Sequence, residues 1–396
     1  MSNKLGVVFV VIFSALAILL AQVFTIAPPT PDVVNPLLTV KLKSLSRNDS
    51  LPLQISGRWQ LIDSKTDEVL IERDNFQGDL VCDITGPKLG PYAANRDKVY
   101  LHCDGEDALR LDYFSYPGEL IIEAERNKLN QYHQLNLYLR LRLEDYVLGV
   151  ICGELPSQTP DIGAALEAQS IAARTYAIFR IQQGKRLRAD SRDQVYIGSD
   201  QNTWQAKDAV HATRGLVLSE DGVILPSYFH SNCGGGTANS FEADFSKTKL
   251  SALAGSTDPQ CGDVYQRWQH TVPVARLDKL SAEFNLGDTL QALNTVSKDI
   301  FQRRLVMRLQ GENGHHDLSG EHVRIRLGLP SMIWHGLIIN RDGSITITGS
   351  GNGHGIGFCQ EGAMRQAKQG LDYAAILQHY YPGVEVEALT ANLFNQ

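Results

Sequence analysis

The sequence predicts an α+β fold, mixed sheets with a few helices, preceded by an N-terminal membrane helix, and three observations predict it. Alternating apolar and polar runs such as LTVKLKS (38–44) and GRWQLID (57–63), broken by Gly, Pro and Asp, fill the chain from Leu37 to about Ile122. In the stretch from Leu135 to Gly184 a period of two gives way to a helical spacing at Ala165, Ala168, Ala172 and Tyr176. From Leu5 to Ala27 there is no charged residue at all, a run long enough for a helix to cross a bilayer.

Taken in order, residues 1–27 read as a transmembrane anchor or signal segment. Lys4 before the run and Asp32 after it favour a cytoplasmic N-terminus with the rest outside. The run is long for a cleaved signal and no convincing small-x-small site follows it, so an uncleaved, single-pass anchor is the preferred of the two readings. Residues 28–36 hold Pro28, Pro29, Pro31 and Pro36 and read as a stiff stalk. A β-rich N-terminal unit spans 37–115 and a larger region spans 116–396. Within the latter, Thr159 suits a helix cap, Pro160 the first helical position and Gly184 the stop. Pro156 biases Leu155 toward an extended conformation, which sets Glu154 between the end of a strand and the entrance to that helix. Further strands are expected in GLVLSEDGVILPSYFHS and SITITGSG, and a closing helix from Gln360 to Gly370.

A balance of 37 Lys plus Arg against 44 Asp plus Glu, a formal charge of −7, excludes the electrostatic footprint of a nucleic-acid binder. The six cysteines of an exported chain would meet an oxidising compartment, where Cys82 with Cys103 is the favoured pair. Cys152 and Cys359 read equally well as small buried hydrophobes.

Four stretches place polar groups where local structure should break. Glu154 is either a solvated carboxylate or one aimed into a cleft. SRDQVYIGSD offers Asp193, Gln194 and Tyr196, either as a turn with a packed tyrosine or as hydrogen-bonding groups beside an aromatic face. In SYFHSNCGGGTANS, His230, Ser231 and Asn232 precede three glycines; His230 and Cys233 are zinc-type ligands, but no second pair follows at a finger or ribbon interval. GSGNGHGIGFCQEGAMRQAKQG sets His354 among alternating glycines and lacks the third glycine of a dinucleotide cradle. No HExxH, GxSxG or P-loop pattern occurs.

Together these stretches resemble the SpoIID/LytB domain family. The ordered match runs from Tyr116-Pro117-Gly118 through LEDYVLGVICGELP, ALEAQSIAARTYA, DQVYIG, ATRGLVL, SYFHSNCGG, LSGEHVRIRLGL and GNGHGIGFCQEGAMRQAKQG to ILQHYYPG. The resemblance implies a glycan-binding cleft and a peptidoglycan lytic transglycosylase that leaves 1,6-anhydro-muramyl ends, with the Glu-Leu-Pro glutamate, here Glu154, as its single acid and base. Arg174, Tyr176, Tyr196, His230, Ser231, His354 and Gln360 become the candidates for binding or supporting the substrate. No cofactor is required; zinc is the one the family allows, on His230 and Cys233 in this chain. Glycan strands, the membrane and an N-acetylmuramoyl-L-alanine amidase are the implied partners. A non-catalytic enhancer of such an amidase, and a hydrolase using Asp193 or Glu361 as a second carboxylate, are the competing readings.

Overall fold

In the computed structural model of the chain, residues 33–105, 107–261 and 267–395 are described; the expected anchor at 1–27 and the first five residues of the stalk lie outside them. No helix among the described residues is long and apolar enough to cross a membrane. The alternation of apolar and polar residues folds as expected into strands. These are β1 (Leu37–Ser46), β2 (Ser50–Asp63), β3 (Val69–Asp83), β4 (Gly86–Leu89), β5 (Tyr92–Ala93), β6 (Lys98–Cys103), β7 (Leu109–Leu111), β8 (Phe114–Tyr116), β9 (Glu119–Arg126) and β10 (Tyr132–Arg142). With β11 (Leu187–Arg188) they form one sheet in the order β11-β1-β10-β9-β6-β2-β3-β4-β5, with β7 on β2 and β8 on β7. The sheet therefore runs through residue 115, where the sequence reading drew its unit boundary.

Register sets the buried face. Val40 lies opposite Leu139, and Leu137 opposite Ile122, all fully buried. The favoured disulfide is not formed: Cys82 and Cys103 are free thiols. Register gives the reason. Cys103 faces Trp59, and Trp59 faces Arg73, nine residues along β3 from Cys82. That is about 30 Å of strand, far beyond the reach of an S–S bond.

Beyond β10 the chain turns directly into helix α1 (Leu143–Glu154), then α2 (Gly163–Gln182) and α3 (Trp204–Ala212). The alanines of α2 let neighbours approach from all sides; it packs against α1, α3, the strand Leu216–Glu220 and two C-terminal helices. It starts three residues later than the Thr159-Pro160 pattern predicts. Asp161 takes a left-handed φ of 61°, which breaks the first turn, and Ile162 becomes the cap. Its end at Gly184 (φ 68°) is as expected.

The remaining helices that shape the site are α4 (Val274–Glu283), α5 (Gly320–Leu327), α6 (Gln360–Lys368) and α7 (Tyr373–Tyr380). A second, smaller core around Val272, Leu277, Met307, Val323 and Ile347 joins α4 and α5 to two three-stranded sheets. The expected strands in GLVLSEDGVILPSYFHS appear as Leu216–Glu220, Val223–Ile224 and Phe229–His230, and SITITGSG contains Ile345–Ser350.

One ion pair ties these layers. Arg174, fully buried on α2, donates Nε and Nη2 to the two carboxylate oxygens of Glu144 on α1 at 2.9 and 2.7 Å, and Nη1 to the Leu216 carbonyl at 3.0 Å. Arg174→Met should lower unfolding free energy by about 3–5 kcal/mol, because Glu144 then loses its opposing charge and retains the Gly215 N–H, at 3.1 Å, as a neutral donor. Urea denaturation should show Arg174→Met/Glu144→Leu recovering much of that loss.

Candidate functional site

Helix α1 ends on Glu154 because Pro156 holds Leu155 extended, at φ −124° and ψ 147°. The glutamate thus sits at a helix C-terminus, not at the strand-to-helix junction predicted from sequence. Two glycines, one helical turn apart on α1, bring the 195–198 segment against it. A Cβ on Gly153 would lie 2.6 Å from the Val195 carbonyl oxygen, and one on Gly149 would lie 2.4 Å from the Tyr196 ring. Without them Val195 N–H could not donate to Glu154 Oε1 at 2.7 Å. Gln360, the first residue of α6, donates its Nε2 to Oε2 at 3.1 Å.

Burial lifts the Glu154 carboxyl above the usual glutamate range; the Val195 and Gln360 donors favour the carboxylate and offset only part of that rise. The helix end acts in the same direction as burial. The unsatisfied carbonyls of a last turn carry partial negative charge and disfavour a second negative charge beside them.

The 193–195 segment that holds Glu154 also borders a cavity of about 510 Å³, lined by Tyr176, Arg180, Asp193, Tyr228, Phe245, Glu321, Arg324 and His354. Glu154 is not among its lining residues. Asp193 is tied down there: it accepts from Tyr176 Oη at 2.9 Å and from Arg188 N–H at 3.0 Å, and pairs with Arg180 at 2.7 Å. His354 accepts the Ile356 N–H on Nδ1 at 3.0 Å, and its ring lies 4.9 Å from that of Phe245. Burial brings its imidazole down to about 4, so it is neutral near neutral pH.

The structure sorts the predicted residues. Glu154 and Gln360 touch each other, and Tyr176 and His354 line the neighbouring cavity. His230 stands behind His354, with ring centroids 5.4 Å apart, and its Nδ1 meets the Ile356 carbonyl at 3.1 Å. Ser231 contributes its carbonyl, which accepts the Glu361 N–H at 3.0 Å.

Two candidates are corrected. Arg174 is enclosed by Glu144 and two backbone carbonyls and offers no donor to a ligand. Tyr196 packs between Tyr146 and Tyr116, at 5.3 and 6.1 Å, and is only 4% exposed, so it is a core residue. Gln194 is likewise buried, accepting from Tyr146 Oη at 2.9 Å.

For a metal, the donors present are sulfur and carboxylate. Cys233, Asp258, Cys261 and Cys359 are all buried, with one ligand atom each within 4.8 Å of the others; His230 is not in the group. Sequence reasoning missed Asp258 and Cys261 in this cluster, and Val195, Arg180 and Tyr228 around Glu154 and the cavity. The pairing of Phe229–His230 with Phe358–Cys359, which brings Cys233 to Cys359, spans more than a hundred residues and leaves no local pattern.

A sequence model described as stage II sporulation protein matches residues 131–219. An uncharacterized protein of Brachyspira hyodysenteriae is 30% identical over 289 residues, covering 71% of this chain and 74% of its own. Stage II sporulation protein D of Bacillus amyloliquefaciens is 30% identical over 283 residues, covering 62% and 74%. The amidase enhancer of Bacillus subtilis is 28% identical over 286 residues, covering 59% of this chain and 39% of its own.

The state of Glu154 has a signature in stability. A carboxyl whose folded pKa is raised stabilises the fold below its unfolded pKa, and that contribution is lost as pH rises through the folded value. Glu154→Gln, neutral at every pH, should therefore be more stable than the parent at neutral and alkaline pH. In chemical denaturation at a series of pH values the difference should disappear below about pH 4.5, near the ordinary glutamate value.

Proposed function

Because the chain belongs to the stage II sporulation protein D family, we propose that it works on the cell wall outside the cytoplasm, as a peptidoglycan lytic transglycosylase. The observation that carries this reading is the setting of Glu154: a carboxyl raised by burial and held on both oxygens by neutral donors. Glycosidases that use water ordinarily need two carboxyl groups. Here Asp193, one nominee for the second, is engaged by Arg180 and Tyr176, which supports a reaction that needs only one.

Protonated Glu154 gives its proton to the glycosidic oxygen as the bond from that oxygen to the muramyl C1 breaks. The carboxylate left behind takes the proton of the muramyl 6-hydroxyl while that oxygen bonds to C1. No water is consumed and Glu154 ends protonated, ready for the next bond. Gln360 and the Val195 N–H hold the carboxyl in one orientation through both steps. Tyr176, Tyr228 and Phe245 in the adjoining cavity offer apolar ring faces for sugars, and Arg180 and Arg324 offer donors. The amidase enhancer among the relatives supports a second reading, a glycan-binding stimulator of an amidase. A raised carboxyl favours the enzyme, since binding alone has no use for a proton donor.

Purified glycan strands digested with the full chain should yield anhydro ends by mass spectrometry, and Glu154→Gln should lower the rate by about 10²–10⁴-fold. Reducing ends would indicate hydrolysis. Absence of cleavage, with faster peptide release by an added amidase, would establish the stimulator instead.

The pH profile gives an independent check. Activity should fall as pH rises through the raised pKa of Glu154. Gln360→Leu removes a donor that favours the carboxylate, so the alkaline limb of its kcat profile should move to higher pH. A mere loss of packing would lower kcat without moving the limb.

A further inference from the structure

We infer that Cys233, Asp258, Cys261 and Cys359 form a structural site for one zinc-type divalent cation, which staples three loops behind the carboxyl site. The four side chains come from three separate segments and converge in the core, each 1% exposed or less. Cys359 Sγ lies 3.3 Å from Cys261 Sγ, and Cys233 Sγ lies 3.3 Å from Asp258 Oδ2. Sulfur atoms around tetrahedral zinc stand about 3.8 Å apart, given Zn–S bonds of about 2.3 Å. The Cys359–Cys261 separation is about half an ångström shorter than that, and all four ligand atoms lie within 4.8 Å of one another, close enough to share one cation.

Parity argues the same way. Three thiols cannot all be satisfied by disulfides, since any pair leaves the third without a sulfur to bond to. A cation satisfies all three and the carboxylate together. Three sulfurs and one carboxylate oxygen suit zinc, whereas magnesium and calcium want oxygen alone.

The surroundings also support ligation. Tyr380 Oη donates to Asp258 Oδ2 at 2.8 Å, Cys233 N–H donates to Cys359 Sγ at 3.3 Å, and the Gly234 N–H bonds to Cys261. Such outer donors orient ligands and stabilise their negative charge. Cys359 is in addition the cap residue of α6, at the positive end of that helix. Gly362 makes room for the arrangement: a Cβ there would sit 2.1 Å from Tyr380 Oη and 2.2 Å from Asp258 Oδ2.

On binding, three S–H protons leave to solvent, and one dication joins three thiolates and one carboxylate. Affinity must therefore fall as the solution is acidified. The site is distinct from a histidine-centred one, because His230 takes no part. It reaches the carboxyl through one peptide bond: Cys359 precedes Gln360, whose amide holds Glu154.

The test is metal content. The full chain, purified under reducing, chelator-free conditions, should carry one zinc per molecule by inductively coupled plasma mass spectrometry. After stripping, cobalt should give the intense visible and thiolate charge-transfer bands of a tetrahedral sulfur site. Cys261→Ser should weaken zinc binding by more than about 100-fold, exceeding the loss seen for outer-shell partners. Cys103→Ser and His230→Ala should keep both zinc and the cobalt spectrum. Should Cys261→Ser fail to fold, the stoichiometry and cobalt spectrum of the parent chain decide alone. Substoichiometric zinc with no thiolate bands, a mapped disulfide within the trio, or loss of zinc in His230→Ala with retention in Cys261→Ser would each overturn the proposal.

Discussion

Everything at the carboxyl site depends on how closely the 193–198 segment can approach α1. Gly149 and Gly153 present bare backbone on one face of that helix, and Val195 and Tyr196 lie where any side chain would be. Glycine in a helix interior costs about 1 kcal/mol relative to alanine, and α1 carries two. The return is geometric: a backbone N–H, which cannot rotate away, fixes one oxygen of Glu154. On the other side Gln360 fixes the second oxygen, and Arg174 holds α1, which carries Glu154, to α2.

Electrostatics and packing pull the same carboxyl in opposite directions. Two donors favour its ionised form; burial and the end of the helix favour the neutral one, and the neutral form gains. A fully hydrogen-bonded carboxylate in water would be a poor acid. A buried carboxyl without donors would be a poor base, and would lack a fixed orientation. Two neutral donors in a dry setting leave it able to give up a proton and recover it, while Asp193 nearby is neutralised by Arg180.

Much of the fold was legible in local sequence, and the misses share one cause. The period-two runs, the stop at Gly184, the extended Leu155 before Pro156 and the start of the closing helix at Gln360 each depend on neighbours in the chain. Helix α1 was hidden because LNLYLRLR flows straight into it, with Arg142 as a cap residue whose side chain makes no cap bond and with two glycines that read as breakers. The Thr159-Pro160 signature lost to the left-handed Asp161. Arg174 and Tyr196 looked like ligand contacts because they stand among motif residues, but a motif position does not say which way a side chain faces. The thiol and carboxylate cluster depends on strand pairing across more than a hundred residues.

The short strand β11 carries a consequence for how such a protein can be cut or recombined. It pairs in parallel with β1, Val40 opposite Leu187, and Ala189 N–H bonds to the Lys41 carbonyl at 3.0 Å. The segment leading to Asp193 and Val195 is thus hung from the first strand among the described residues. Cutting before residue 116 would remove β1, leaving β10 with a bare edge and the Val195 donor with a loose tether. The carboxyl site is therefore not a portable cassette that another polypeptide could acquire by fusion at that point. Any exchange that keeps it in working order must bring the first strand along.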